Sequence, residues 1–281
     1  DQLLEYRPEA ETEANTPAEL PLSVDCFMHD FPRGAQWGTF LHSLLEWAAV
    51  ARGFSPQTRH LHGFAAAVAD DQQRTGLITR RCRLRGIEEL AEPLSQWLKG
   101  FLQQPWPTGF ALQDIAPTNL MVEMEFLLEV HQANAQSIDQ LIRTHMQVPQ
   151  EVAGAKPNHL NGMLKGFIDL IVEHQGRYYI IDWKSNHLGD SDADYSRERM
   201  QRAIYEHRYD VQYVLYTLAL HRHLRQRLPE YDYDQHMGGA IYSFIRGNHN
   251  PLTQGLFVDQ PPKALIEALD QLCSKAGQGE Q

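Results

Sequence analysis

The chain contains 281 residues, of which 42% are hydrophobic and 22% are charged, and its formal net charge at pH 7 is −11. This composition is ordinary for a globular protein, and the length provides one large domain or two small ones with enough chain to bury a core. No apolar run approaches the roughly 18 residues that a membrane-spanning helix requires. The acidic balance also argues against a domain that captures nucleic acid alone on a basic surface.

The two ends of the chain differ in composition from its middle. The first 21 residues carry six acidic residues, one Arg and three prolines, which is typical of a solvated linker. We therefore predict an acidic linker over residues 1–22, a globular domain over 23–275 and a polar tail over 276–281. The chain begins with Asp1 rather than Met, so we interpret it as a segment of a longer polypeptide.

The three cysteines, Cys26, Cys82 and Cys273, are widely spaced and odd in number. This pattern argues against a disulfide framework and predicts a reducing, cytoplasmic compartment. An iron–sulfur cluster bound by four cysteine thiolates needs one more than this chain has, so we predict no such cluster.

Hydrophobic periodicity and turn residues predict alternating helices and strands. Helices are predicted at 37–52, 57–75, 86–103, 132–148, 197–208, 209–228 and 261–273, and strands at 122–128, within 162–185 and at 238–247. Because a helix intervenes before the last strand, that strand is expected to run parallel to a strand of the 162–185 region. The prediction is an α/β fold with a central mixed sheet flanked by helices.

Residues 162–185 form the most informative stretch. Two apolar runs flank a Gln-Gly turn at 175–176, which predicts an antiparallel hairpin. In that register Asp169 falls directly opposite Asp182, and Lys184 points to the same face as Asp182.

Paired carboxylates at this position require a counter-ion. Like charges facing each other destabilise a sheet, and burying Asp169 and Asp182 among Ile and Leu without compensation is costly. A divalent cation would provide the compensation, and oxygen ligands favour Mg²⁺, Mn²⁺ or Ca²⁺.

The spacing Asp169, then twelve residues, then Asp-x-Lys resembles the PD-(D/E)XK nucleases. More specific resemblance comes from four blocks in this order: GAQWGTFLHSLLE at 34–46, GMLKGFIDL at 162–170, YYIIDWKSNHLG at 178–189 and HRYDVQYVLYTLALHRHL at 207–224. They resemble the C-terminal nuclease domains of the RecB family, the helicase–nuclease subunits of RecBCD enzymes. The resemblance extends from about residue 23 to about residue 270.

The resemblance implies a restriction-endonuclease-like fold and a metal-dependent deoxyribonuclease. His42, in the G-x-x-x-H block, would join Asp169 and Asp182 as a ligand of Mg²⁺, with the backbone carbonyl of Trp183 well placed to help and a second ion left open. Without the resemblance, a lone His beside an apolar helix face is more often structural. Lys184 would act in catalysis beside the two aspartates.

Two further residues match a family signature. Gln212 and Tyr216 are four apart on a predicted helix and therefore share a face. They match the Q-x-x-x-Y pattern, in which these side chains line the DNA path; the alternative is a surface Gln and a partly buried Tyr.

Two charged groups have no assigned role. Glu123 and Glu125 alternate with apolar residues on a strand, so we expect an outward-facing pair. The alternative is that Glu125 approaches the metal through water. The arginines at 80–85 are expected to lie in a solvated loop or to contact a partner subunit.

The resemblance also implies partners. It suggests an upstream RecB helicase region, RecC and RecD subunits, RecA, and single-stranded or unwound duplex DNA, in double-strand break repair and recombination. No G-x-x-x-x-G-K-[ST] motif occurs in the chain, so ATP would bind outside this segment. The alternatives are an inactive nuclease fold that guides DNA or binds a subunit, and a metal-dependent hydrolase of a small phosphorylated substrate.

Overall fold

The computed structural model describes residues 4–5, 27–154 and 159–275. The helices are α1 (Phe27–Asp30), α2 (Ala35–Val50), α3 (Gly63–Ala69), α4 (Asp71–Arg83), α5 (Ala91–Gln103), α6 (Ala135–Met146), α7 (Arg197–Glu206), α8 (Tyr209–Arg227), α9 (Tyr233–His236) and α10 (Lys263–Lys275). The strands are β1 (Leu4–Glu5), β2 (Leu120–Asn134), β3 (His159–His174), β4 (Arg177–Lys184), β5 (Met237–Phe244) and β6 (Leu256–Asp259).

The described strands form one six-stranded mixed sheet. β3 pairs antiparallel with both β2 and β4, and it pairs parallel with β1. β4 pairs parallel with β5, which pairs antiparallel with β6. The predicted hairpin and the predicted parallel strand after it are both confirmed, whereas β1 and β6 were not predicted.

The hairpin turn sets the register of β3 and β4. Gln175 and Gly176 have φ values of 52° and 77°, the left-handed conformation that two-residue hairpin turns favour. His174 pairs with Arg177, and the described pairs continue to Leu170 with Ile181. This is the register that the sequence predicted.

Helices cover both faces of the sheet. One apolar cluster joins α2 to α5 with Leu170, Ile181 and Trp183, and the other joins α6, α7, α8 and α10 with Ile171 and Ile180. Strands β3 and β4 are therefore buried on both faces, which explains why their sequences are nearly continuously apolar. Within the described ranges, no helix has both the length and the apolar character needed to cross a membrane.

One predicted helix differs in extent from the elements observed, and the predicted linker and tail lie almost entirely outside the described residues. The predicted helix at 57–75 is wrong in its extent: α3 and α4 meet at Asp70, whose side chain caps α4 by accepting from the Gln73 N–H at 3.1 Å. Of the linker predicted over residues 1–22, only Leu4–Glu5 lie within the described residues, and the tail at 276–281 lies outside them.

Candidate active site

Two ionisable side chains are buried at the carboxyl end of β4. Asp182 is 2% exposed and Lys184 is 7% exposed, and the Lys184 Nζ lies 2.6 Å from the Asp182 Oδ2. They share a face because they are two residues apart on a strand. Burial raises the pKa of Asp182 to about 6; the Lys184 ammonium opposes the rise and the Asp169 carboxylate adds to it.

Asp169 lies next to this pair. It lies one position beyond the hairpin pair farthest from the turn, where the register places it opposite Asp182. Its carboxylate accepts a hydrogen bond from the Trp183 backbone N–H at 2.9 Å, and the His42 Nδ1 on α2 lies 3.5 Å from the same oxygen. The structure thus brings together His42, Asp169, Asp182 and Lys184, which the sequence singled out.

Near Asp169, the side chains of β2 and β3 switch from one face of the sheet to the other. Val122 pairs with Leu170, and Met124 pairs with Ile168. Residues two apart on a regular strand share a face, yet Val122 and Leu170 pack with the α2–α5 cluster while Met124 and Ile168 pack with the other. The change coincides with the left-handed φ of 50° at Glu123, which interrupts the regular alternation.

The same irregularity aims Glu123 at the site. The flanking pairs place Glu123 opposite Asp169, and both side chains line a narrow cleft with His42. Partial burial raises the pKa of Glu123 to about 7, and the Asp169 carboxylate adds to the rise. Glu123 is exposed, as expected, but it faces the cleft that Asp169 and His42 line. Glu125 is half-exposed and forms an ion pair with Lys165 at 2.8 Å.

The donor chemistry of the site fits a hard cation. Three carboxylates and an imidazole converge here, and oxygen-rich sets of this kind suit Mg²⁺ or Mn²⁺. The Asp182 Oδ2 is buried and has no hydrogen bond of normal geometry to another described residue, although the Lys184 ammonium lies beside it. Within the described residues, however, no three His, Cys, Asp or Glu side chains already form a metal-binding group.

Gln212 and Tyr216 lie inside the protein. They are 5% and 7% exposed, so the alternative of a surface Gln is wrong. The Gln212 Oε1 accepts hydrogen bonds from the Lys184 Nζ at 3.0 Å and from the Tyr242 hydroxyl at 2.8 Å, while its Nε2 donates to the Tyr216 hydroxyl at 2.8 Å. Gln212 and Tyr216 therefore belong to a hydrogen-bond network that includes Lys184. Their contact with DNA stays a prediction.

The arginines at 80–85 lie at the end of α4 and directly after it, not in a fully solvated loop. Arg81 donates to the Ser43 carbonyl at 2.9 Å, and the Arg85 guanidinium lies 4.5 Å from the centre of the Phe40 ring. Both contacts reach α2, so this part of the cluster supports the helix that carries His42.

Comparison with known proteins agrees with this geometry. The model of the PD-(D/E)XK nuclease superfamily matches residues 23–280. The chain is 40% identical over 252 residues to the RecBCD enzyme subunit RecB of Escherichia coli, covering 87% of this chain and 19% of that protein. It is 35% identical over 245 residues to the RecB subunit of Haemophilus influenzae, covering 86% of this chain and 18% of that protein. The chain thus spans about a fifth of the length of these relatives.

Proposed function

Since this chain belongs to the PD-(D/E)XK nuclease superfamily, we propose that it is a Mg²⁺-dependent deoxyribonuclease domain that cleaves DNA strands delivered by an ATP-driven helicase. The observation that carries the proposal is the buried pair of Asp182 and Lys184, with Asp169 and His42 beside it. A buried carboxylate with a second carboxylate beside it is expensive in a structural role, but this arrangement is what a cation-binding hydrolase requires.

The ligands would come from four elements. His42 on α2, Asp169 on β3, and Asp182 with the Trp183 carbonyl on β4 would hold the ion, and we add Glu123 on β2 as a further carboxylate. When bound, the ion would lower the pKa of a ligated water and offset the charge that builds up on the phosphate.

Lys184 provides a positive charge at the site that comes from the chain and not from a bound ion. Its ammonium can donate to a water molecule and to a phosphate oxygen, and so can orient the attacking water and stabilise the transition state. Its hydrogen bond to Gln212 helps to hold the ammonium in this position. We propose that Gln212 and Tyr216 help place the DNA strand through this network.

The acidic charge of the chain supports delivery of DNA by other parts of a larger assembly. The relatives are named as subunits of RecBCD, so we propose an upstream RecB helicase region, RecC and RecD as partners, and a contact with RecA, in double-strand break repair and recombination. The linker at 1–22 would connect the helicase region to this domain. The free, buried Cys82 and Cys273 support a cytoplasmic location.

One rival function has an observation in its favour. The Lys184 ammonium already compensates Asp182, which is also what an inactive fold that guides DNA or binds a subunit would show. A small phosphorylated substrate predicts a closed, ligand-sized pocket at the site. The cleft beside Asp169 has a volume of about 10 Å³ and so gives that alternative no support.

Cleavage of single-stranded DNA separates the proposal from the rival. We expect the chain to cut a labelled oligonucleotide with Mg²⁺ and to lose this activity with EDTA and in Asp182→Asn. The matched control is Asp234→Asn, an exposed aspartate outside the site, which should cut like the wild type. Equal background cleavage by the wild type and Asp182→Asn would favour the inactive module.

A further inference from the structure

We propose that Tyr209 and Tyr242 are positioning residues that hold the Lys184 ammonium against the faces of their two neighbouring rings. The Lys184 Nζ lies 3.9 Å from the centre of the Tyr209 ring and 4.9 Å from the centre of the Tyr242 ring. Both distances are within the range in which a cation is attracted by the negative face of an aromatic ring. The inference rests on the proposed function, since it assigns these rings a role in cleavage through Lys184.

The ammonium needs such support because it is nearly cut off from water. Lys184 is 7% exposed, and its described polar contacts at the site are Asp182 at 2.6 Å and Gln212 at 3.0 Å. The four-carbon side chain of lysine is flexible, and its ammonium has three N–H donors. Two polar partners therefore restrain the motion of the ammonium only in part. Two ring faces restrict that motion and replace lost hydration.

The fold delivers the two rings from two different elements. Tyr242 on β5 is the parallel-sheet partner of Asp182, so its ring lies beside the carboxylate that Lys184 contacts. Tyr209 is the first residue of α8, and Arg208 before it has a left-handed φ of 55° that turns the chain into the helix. The ring centroids of the two tyrosines are 5.8 Å apart.

Tyr242 has a second contribution through its hydroxyl. It donates to the Gln212 Oε1 at 2.8 Å while the Gln212 Nε2 donates to Tyr216 at 2.8 Å, so the amide oxygen faces the Lys184 Nζ. The ring and the hydroxyl of Tyr242 therefore act on the same ammonium by different routes. Tyr242→Phe removes the hydroxyl alone, whereas Tyr242→Leu removes both.

A purely structural role is the competing explanation, because Tyr209 is 6% exposed and Tyr242 is fully buried. Core packing depends on ring shape, while attraction of an ammonium depends on the negative charge of the ring face. Replacing Tyr209 by a trifluorinated phenylalanine keeps the shape and removes most of that charge. Tyr233→Leu serves as a control for the loss of a buried ring, since Tyr233 packs on His221.

The first readout is spectroscopic and needs no cleavage. The chain has six lysines, so the side-chain methylene signals of ¹³C-labelled lysine can be assigned by comparison with Lys184→Gln. We expect the Lys184 Hε signal upfield of the other five because of the two ring currents, and we expect Tyr209→Leu and Tyr242→Leu each to move it back. A Lys184 Hε signal at the ordinary position in the wild type would overturn the inference.

The second readout is kinetic, on single-stranded DNA with Mg²⁺. We expect kcat to fall on the order of tenfold in Tyr209→Leu and with the fluorinated ring, both relative to Tyr209→Phe, with KM for DNA unchanged. Wild-type kcat with the fluorinated ring would overturn the inference, as would an equal loss in Tyr233→Leu. A wild-type chain that shows the shifted lysine signal but cuts no DNA would instead refute the proposed function.

Discussion

The buried carboxylate of Asp182 should make the cation-free fold less stable as the pH rises. Asp182 is 2% exposed, and its pKa in the folded chain is about 6 against an ordinary value of 3.8. A carboxyl group whose folded pKa is raised is penalised when ionised: the penalty is absent below the unfolded pKa and complete above the folded one. The affected window is therefore pH 4 to 6, and stability falls as the pH rises through it.

The magnitude follows from the size of that shift. A difference of about two pKa units corresponds to about 3 kcal/mol of unfolding free energy at pH 7, with a slope near 1.2 kcal/mol per pH unit around pH 5. Bound Mg²⁺ should cancel the penalty by favouring the ionised form. The stabilisation by Mg²⁺ should therefore be largest at pH 7 and nearly absent at pH 4.

Urea unfolding from pH 4 to 7.5, with and without Mg²⁺, measures this effect. Other carboxyl groups also titrate in this range, so the quantity to compare is the difference in pH slope between the wild type and Asp182→Asn. Equal slopes in the two proteins, or a Mg²⁺ effect that does not depend on pH, would refute the reasoning.

Four further changes have distinct expected outcomes. Lys184→Gln should abolish cleavage of single-stranded DNA while leaving calorimetric Mg²⁺ affinity largely intact; equal loss of both would make its role structural. His42→Ala should weaken Mg²⁺ binding in the same titration, and an unchanged affinity would remove His42 from the ligand set. Glu123→Gln should weaken Mg²⁺ binding and cleavage, whereas Glu125→Gln on the same strand should change neither; identical behaviour of the two would exclude Glu123 from the site. Asp70 accepts four hydrogen bonds, the shortest from Thr58 at 2.6 Å, which lower its pKa to about 2. Its ionised form stabilises the fold above pH 4, so Asp70→Asn should lower the unfolding free energy at pH 7 by about 2 kcal/mol, with the difference shrinking as pH falls towards 2.

The hairpin could be predicted from the sequence because local chemistry determines it. A two-residue turn fixes which residues face each other, and a side-chain period of two then assigns every position to a face. Once the turn is placed at Gln175 and Gly176, the positions of Asp182 and Lys184 on the sheet can be counted along the chain. The ligand role of His42 required the resemblance, since a His on an apolar helix looks the same in either role.

Glu123 could not be placed from the sequence. Strand β2 reaches β3 through α6 and no tight turn connects them, so their register cannot be counted along the chain. The change of face also occurs at a Glu with left-handed φ, a conformation usually marked by Gly or Asn.

The contact between helix α8 and Lys184 could not be predicted for a different reason. The helix is buried on most sides, so no apolar stripe separates its buried positions from its exposed ones. In the sequence Gln212 therefore resembles a surface residue, whereas in the structure it accepts a hydrogen bond from Lys184. Tyr209 and Tyr242 are 33 residues apart in sequence and lie on different elements. Only the packing of α8 on β4 and β5 brings them to one ammonium.

The most direct test of the cation site is a crystal structure of the chain grown with saturating Mn²⁺, with anomalous scattering used to locate the ion. We expect an anomalous peak bound by both Asp169 and Asp182, with the Lys184 ammonium moved off the Asp182 oxygen that it now contacts at 2.6 Å. Absence of a peak, with Lys184 still on that oxygen, would contradict the assignment of a metal-dependent nuclease.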